Sequence, residues 1–150
     1  MHSHETLIQA YVDAFVGLTP ANADNLYALV TDDVFFSDPF NQITGKAGFK
    51  HVFDHMFKTC DSPRFLVSDV AHSGSVSYLR WQMTGRLKNW PYTALDFTGM
   101  TEVHSNAHGK VSHHIDHWDS ASQLLQHLPV VGALIRPILR LFRLKRPKSA

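Results

Sequence analysis

An α+β fold is predicted for this 150-residue chain, with helices at the N-terminus packed on a mostly antiparallel sheet. Three observations carry the prediction. Apolar residues recur at helical spacing through the first third of the chain, four β-rich stretches follow Pro63, and a basic, leucine-rich segment closes the sequence. Separate runs of helices and strands, with strands joined by short hairpin signals, argue against an alternating parallel architecture.

Leu7, Ile8, Tyr11, Val12, Phe15 and Val16 repeat with helical period, so residues 4 to 17 read as an amphipathic helix that Gly17 and Pro20 end. Asn22 or Asp24 can cap a short second helix carrying Leu26, Tyr27, Leu29 and Val30. Thr31-Asp32-Asp33 reads as a turn, Val34-Phe35-Phe36-Ser37 as a strand that Asp38-Pro39 terminates, and Asn41 to Gly45 as a loop. A third helix follows from Phe49, Val52, Phe53, Met56 and Phe57. Residues 65–72, 75–87, 92–104 and 111–118 then form a meander, punctuated by Ser73-Gly74, Lys88-Asn89 and His108-Gly109. Residues 120–144 read as a helical extension.

Composition narrows the function classes. Apolar residues make up 44% and charged residues 18%, which excludes wholesale disorder. A formal net charge of +1 is too small for a nucleic-acid-binding surface over the whole domain. One cysteine, Cys60, excludes an internal disulfide framework and suits a reducing compartment. The N-terminus lacks the basic-then-apolar pattern of a signal peptide, and no apolar run reaches the roughly 18 residues of a spanning helix. A cytoplasmic protein is the expectation.

The segment Asp32-Asp33-Val34-Phe35-Phe36-Ser37-Asp38-Pro39, followed by Gly45 and the helix around Phe49 and Phe53, resembles ketosteroid isomerases and SnoaL-like polyketide cyclases of the nuclear transport factor two-like superfamily. Gly109-Lys110-Val111 leading to Asp116-His117-Trp118-Asp119 is similar to the last strand of limonene epoxide hydrolase and of the cyclases. The resemblance covers roughly residues 4 to 122. It implies a cystatin-like cone, with helices on a strongly curved sheet enclosing a pocket, over residues 1–122; the basic amphipathic extension over 123–150 has no counterpart in the matched motifs. It also implies a homodimer.

In the isomerases, the aspartate of the Asp-Pro pair moves a proton on carbon and a tyrosine on the first helix holds the enolate oxygen; Asp38 and Tyr11 match them by type and position. Such chemistry needs a carboxylate with limited access to water and a hydroxyl aimed at the oxyanion. The second, protonated acid that completes the oxyanion hole in ketosteroid isomerase, a worked case of pKa tuning, would fall at Gly99 or Thr101, neither of which is an acid. Strand alternation puts His114, Asp116 and Trp118 on one face, and His113, Ile115, His117 and Asp119 on the other. Asp116 matches the water-orienting aspartate of the epoxide hydrolases and the acid–base aspartate of the cyclases, and His114 can share a proton with it. The Arg-x-Asp pair of the hydrolases is missing between Ser77 and Arg86. Asp38 also reads as a turn residue bonded to nearby backbone N–H groups, and Asp119 as a helix cap.

Phe36, Phe53, Phe57, Trp81, Met83, Phe97 and Trp118 are expected to line the pocket, which then suits a small hydrophobic molecule with one or two polar handles. No cofactor is called for. No metal site is expected: His51 and His55 lie four apart on a helix without an evident third ligand, and the face alternation splits His113, His114, Asp116 and His117.

The extension interleaves leucines, isoleucines and Phe142 with Arg136, Arg140, Arg143, Lys145, Arg146 and Lys148. Packing on the domain or across a dimer is the first expectation for it, and a peripheral membrane contact through residues 129–148 the second. Three functions compete: a cofactor-independent isomerase- or cyclase-like enzyme, a non-catalytic carrier of hydrophobic ligands or lipids, and a docking module using the outer face of the sheet. An open interior containing Asp38 and Asp116 separates the first two from the third.

Overall fold

The computed structural model describes residues 4–145. Arg146 and Lys148 of the tail lie outside the described residues. The chain divides into two compact units, one ending at Trp118 and one beginning at Asp119.

In the first unit, α1 (His4–Val16) buries Leu7, Ile8, Tyr11, Val12 and Phe15 along one face, as its period requires. It ends at Gly17, whose N–H bonds to the Asp13 carbonyl. Asn22 sits at the N-cap of α2 (Ala23–Tyr27), but its side chain turns backwards, accepting from the Thr19 N–H and donating to the Gly17 carbonyl at 2.7 Å each. It thereby fixes the link between the two helices rather than capping the second.

Strand β1 (Val30–Ser37) begins four residues earlier than its β-rich core suggests. Val30, assigned to a helix by its spacing, pairs with Val111, and Thr31-Asp32-Asp33 lies inside the strand rather than in a turn. The two aspartates are exposed, and Asp32 meets Lys46 at 3.1 Å in water. The register shifts between Val30 and Phe35, which bends the strand there. The expected loop at Asn41–Gly45 contains a short strand, β2 (Gln42–Thr44), which pairs with Phe35, Phe36 and Ser37. Gly45 then enters α3 (Lys46–Thr59) at φ 102°, a conformation natural to glycine, and its N–H bonds to Val34.

The meander follows as β3 (Cys60–Ser73), β4 (Val76–Leu87), β5 (Ala94–Ser105) and β6 (Val111–His117). The sheet order is β2-β1-β6-β5-β4-β3, antiparallel except for the β1–β6 pair. Bulges interrupt β3 at Asp61/Arg64 and Val67/Asp69, and the β5–β6 pair at His104/Ser105, curling the sheet around the helices. The core joins α1, α2 and α3 to the concave face through Phe36, Leu79, Val103 and Val111.

In the second unit, α4 (Ser120–Gln123) is capped by Asp119, whose carboxylate accepts the Ser122 N–H at 3.0 Å and the Ser122 hydroxyl. These bonds hold the Asp119 carboxyl below its usual range. A 3-10 turn (Leu125–His127) and α5 (Val131–Leu141) complete the unit, with Pro137 inside α5 rather than at its end.

Candidate active site

The concave face of the first unit encloses a cavity of about 560 Å³. Phe36, Phe53, Trp81, Met83, Phe97 and Trp118 all line it, as expected, and so do Asp38, His114 and Asp116. Phe57 does not. One turn beyond Phe53, it has rotated toward the Gly17–Pro20 link and lines a second hollow with Cys60 and Lys88. The Cys60 thiol touches both hollows, and its burial pushes its pKa up.

Asp116 is reached by a continuous polar chain. It pairs with Thr101 across β5–β6, and the Thr101 hydroxyl donates to Asp116 Oδ1 at 2.5 Å. The Trp81 indole N–H donates to Thr101 Oγ1 at 2.8 Å. From the other side, His114 Nε2 stands 3.0 Å from the same Oδ1, and the Tyr11 hydroxyl stands 3.0 Å from His114 Nδ1. A carboxylate can only accept, so in the neutral ring Nε2 carries the proton and Nδ1 accepts from Tyr11. Burial, with the Asp116 charge behind it, raises the Tyr11 pKa well above its ordinary value and keeps this donor protonated.

The imidazole is 4% exposed and packed among aromatic rings: Phe36 stacks on it at 5.1 Å, and Phe15 and Phe49 flank it. This cage leaves His114 no freedom to reorient. Both bonds to Asp116 fall on Oδ1, and its side chain keeps 18% of its surface exposed.

Tyr11 therefore does not occupy the place expected of an oxyanion donor. It is fully buried, absent from the cavity wall, and its hydroxyl is held by His114. Thr101, one of the two positions at which the resemblance would put a second acid, likewise turns its hydroxyl to Asp116. Asp38 does face the cavity, yet its Oδ1 accepts the N–H groups of Phe40 (2.8 Å) and Asn41 (2.6 Å), and the Asn41 amide reaches both of its oxygens. The turn reading and the pocket reading of Asp38 hold together.

His51 and His55 also reach the cavity wall, a placement that their sequence spacing alone did not disclose. The opposite face of β6 carries His113 and His117, with Glu102 bridging His104 and His117 across the outer sheet. The hydrogen bond with His104 lowers the Glu102 pKa first and foremost. Among the described residues, no group of three or more His, Cys, Asp or Glu side chains is arranged to hold a metal ion. Gly99 sits behind two of the wall residues, Trp81 and Trp118. A Cβ there would lie 2.7 Å from the Trp81 indole, 2.8 Å from Trp118 Cβ and 2.9 Å from the His117 carbonyl, so only glycine fits without a shift of its neighbours.

Comparison with known proteins agrees with this architecture. A structure from Catenulispora acidiphila, described as having a ketosteroid isomerase-like fold and solved with trimethylamine, superimposes with a TM-score of 0.68 at 17% identity, covering 82% of this chain and 93% of that one. A nuclear transport factor two-like protein from Exiguobacterium gives a TM-score of 0.66 at 19% identity, covering 76% and 98%. A candidate polyketide cyclase from Pseudomonas putida gives 0.63 at 17% identity, covering 79% and 93%. No curated protein matches the chain at a significant level. The family model of the SnoaL-like domain matches residues 8–114. The curled sheet, the helices on its concave face and the match over most of its length place this chain in the SnoaL-like domain family.

Proposed function

We propose that the chain is a cofactor-independent enzyme of proton transfer, isomerase- or cyclase-like, acting on a small hydrophobic carbonyl compound of steroid-, polyketide- or terpenoid-like shape. One observation carries the reading: the Asp116 carboxylate faces a largely apolar cavity and is fixed from behind by His114 and Thr101. With Oδ1 occupied twice, Oδ2 is the oxygen that takes a proton from the carbon beside a carbonyl and returns it to another carbon. Tyr11 and Trp81 act through their neighbours and are positioning residues. Asp38 is the second carboxylate, and its turn holds it at the cavity wall. The candidate polyketide cyclase among the similar folds is compatible with this class of chemistry.

The reaction can be followed without knowing the natural substrate. Apolar ketones incubated with the protein in heavy water should exchange their acidic C–H protons, read by NMR. Asp116→Asn should slow exchange by about 10²- to 10⁴-fold, the usual contribution of a positioned acid–base group. Unchanged exchange in both Asp116→Asn and Asp38→Asn would remove the basis for the proposal.

A second reading, a non-catalytic carrier of hydrophobic ligands, draws on one specific observation. The hydroxyls of Tyr11 and Thr101 both turn into the polar chain, so neither stands ready for an enolate oxygen. Tight binding of ketones in the cavity with no exchange in the wild type would select this reading.

A further inference from the structure

We propose that α5 is a peripheral anchor for an anionic lipid surface, lying in the plane of the bilayer. Val131, Leu134, Ile138, Leu141 and Phe142 fall within an arc of about 100° at the helical period. All five are exposed, from 40% at Val131 to 82% at Phe142. The unit's own packing uses a different side. Gly132 is buried against the Gln126 carbonyl, to which the Arg136 guanidinium donates at 2.8 Å. Arg136 and Arg140 fall opposite the apolar arc at the same period, and Arg143 and Lys145 follow the helix end, so a hydrocarbon-like face is joined to a cationic one.

Charge selects the occupant of the apolar face. All thirteen acidic residues of the chain lie at or before Asp119, whereas six of its fourteen basic residues lie beyond it. A second copy of this segment would bring the same cations and no countercharge. An anionic bilayer supplies both phosphate or carboxylate charge for the arginines and hydrocarbon for the apolar arc. The geometry also sets the depth. Eleven residues of helix are about 16 Å long at the standard rise, well short of the roughly 30 Å of a bilayer core. No helix among the described residues is long and apolar enough to cross a membrane.

The test is co-sedimentation of the full chain with phosphatidylcholine vesicles, with and without about one third phosphatidylserine as in anionic leaflets. Binding should need the anionic lipid and weaken as salt rises. Replacing three cations together, Arg140→Gln, Arg143→Gln and Lys145→Gln, should lower partitioning about 100-fold, since each is worth roughly fivefold near such a surface. Ile138→Gln with Leu141→Gln should also abolish it, with near-UV circular dichroism confirming that the rest of the chain stays folded. Equal binding to both vesicle types, or to neither, would overturn the proposal. So would a lipid-independent dimer that the Ile138→Gln, Leu141→Gln variant loses, because the apolar face would then belong to a second copy. None of these outcomes bears on the cavity chemistry.

Discussion

Tyr11→Phe and Tyr27→Phe make the same chemical change at two buried positions, and the structure predicts opposite results. Tyr11 is fully buried, and its ring packs edge-on against Phe15 at 5.1 Å, a contact that phenylalanine keeps. What is lost is the hydroxyl facing His114 Nδ1. The imidazole stays pinned by Asp116 and by the Phe36 stack, so Nδ1 is left buried without a donor. An unsatisfied buried acceptor costs about 1–3 kcal/mol, and the cavity from one lost oxygen adds little. The Tyr27 hydroxyl, by contrast, is buried with no hydrogen-bond partner among the described residues, and burial pushes its pKa up to about 12. Removing it relieves a desolvation penalty, so Tyr27→Phe should be neutral or stabilising by up to about 1 kcal/mol. Urea unfolding at neutral pH, with m-values checked for constancy, measures both. In the ketone exchange assay, Tyr11→Phe should also slow turnover, while Tyr27→Phe should not. A Tyr11→Phe protein as stable as the wild type would refute the reasoning, because it would mean that His114 draws nothing from the hydroxyl.

Three further expectations follow from the same geometry. Thr101→Val keeps the side-chain shape but strips the acceptor of the Trp81 N–H and one of the two donors to Asp116, which keeps the His114 bond; a loss of about 1–3 kcal/mol is expected from the stranded indole N–H, with a change in Trp81 fluorescence, and an unperturbed emission spectrum would count against the bond. Gly99→Ala must push against the His117 carbonyl, the Trp81 indole and Trp118 Cβ, so it should cost about 1–3 kcal/mol as overpacking does and alter near-UV circular dichroism; an unchanged melting temperature would show that these neighbours give way easily. His4 stands 2.6 Å from Ser77 and 2.7 Å from Ser105, pinning the start of α1 to the sheet, and burial, then the nearby His72, lower its pKa from 6.5 while Glu5 opposes them. A histidine with a depressed folded-state value binds more protons when unfolded, so its contribution is present above about pH 6.5 and is lost as pH falls through the folded value. His4→Asn should therefore flatten the stability profile on the acid side; parallel wild-type and variant profiles would rule this out.

The meander was legible because its strands alternate and its turns carry glycine or asparagine: Gly74 and Gly109 adopt positive φ in the turns their sequence announces. Strand β1 was harder to delimit. Asp32 and Asp33 look like turn residues, yet a strand edge facing water tolerates them, and the pairing of Val30 with Val111 overrides local propensity. Strand β2 has only three residues, too few for alternation to show. Asp38, His114, Asp116 and six of the seven expected wall residues lie on the cavity, where facing periodicity and motif position agree. Phe57 was misplaced because the same four-residue spacing that aligns it with Phe53 also rotates it by a fraction of a turn. The link between Tyr11 and His114 joins residues 103 apart, and no local pattern encodes it.

The polar chain from Tyr11 through His114, Asp116 and Thr101 to Trp81 crosses α1, β6, β5 and β4. The group that meets the ligand is thus also a rivet between helix and sheet. Any substitution that retunes the acid must loosen or tighten the shell around it, so reactivity and rigidity in this protein should drift together rather than independently.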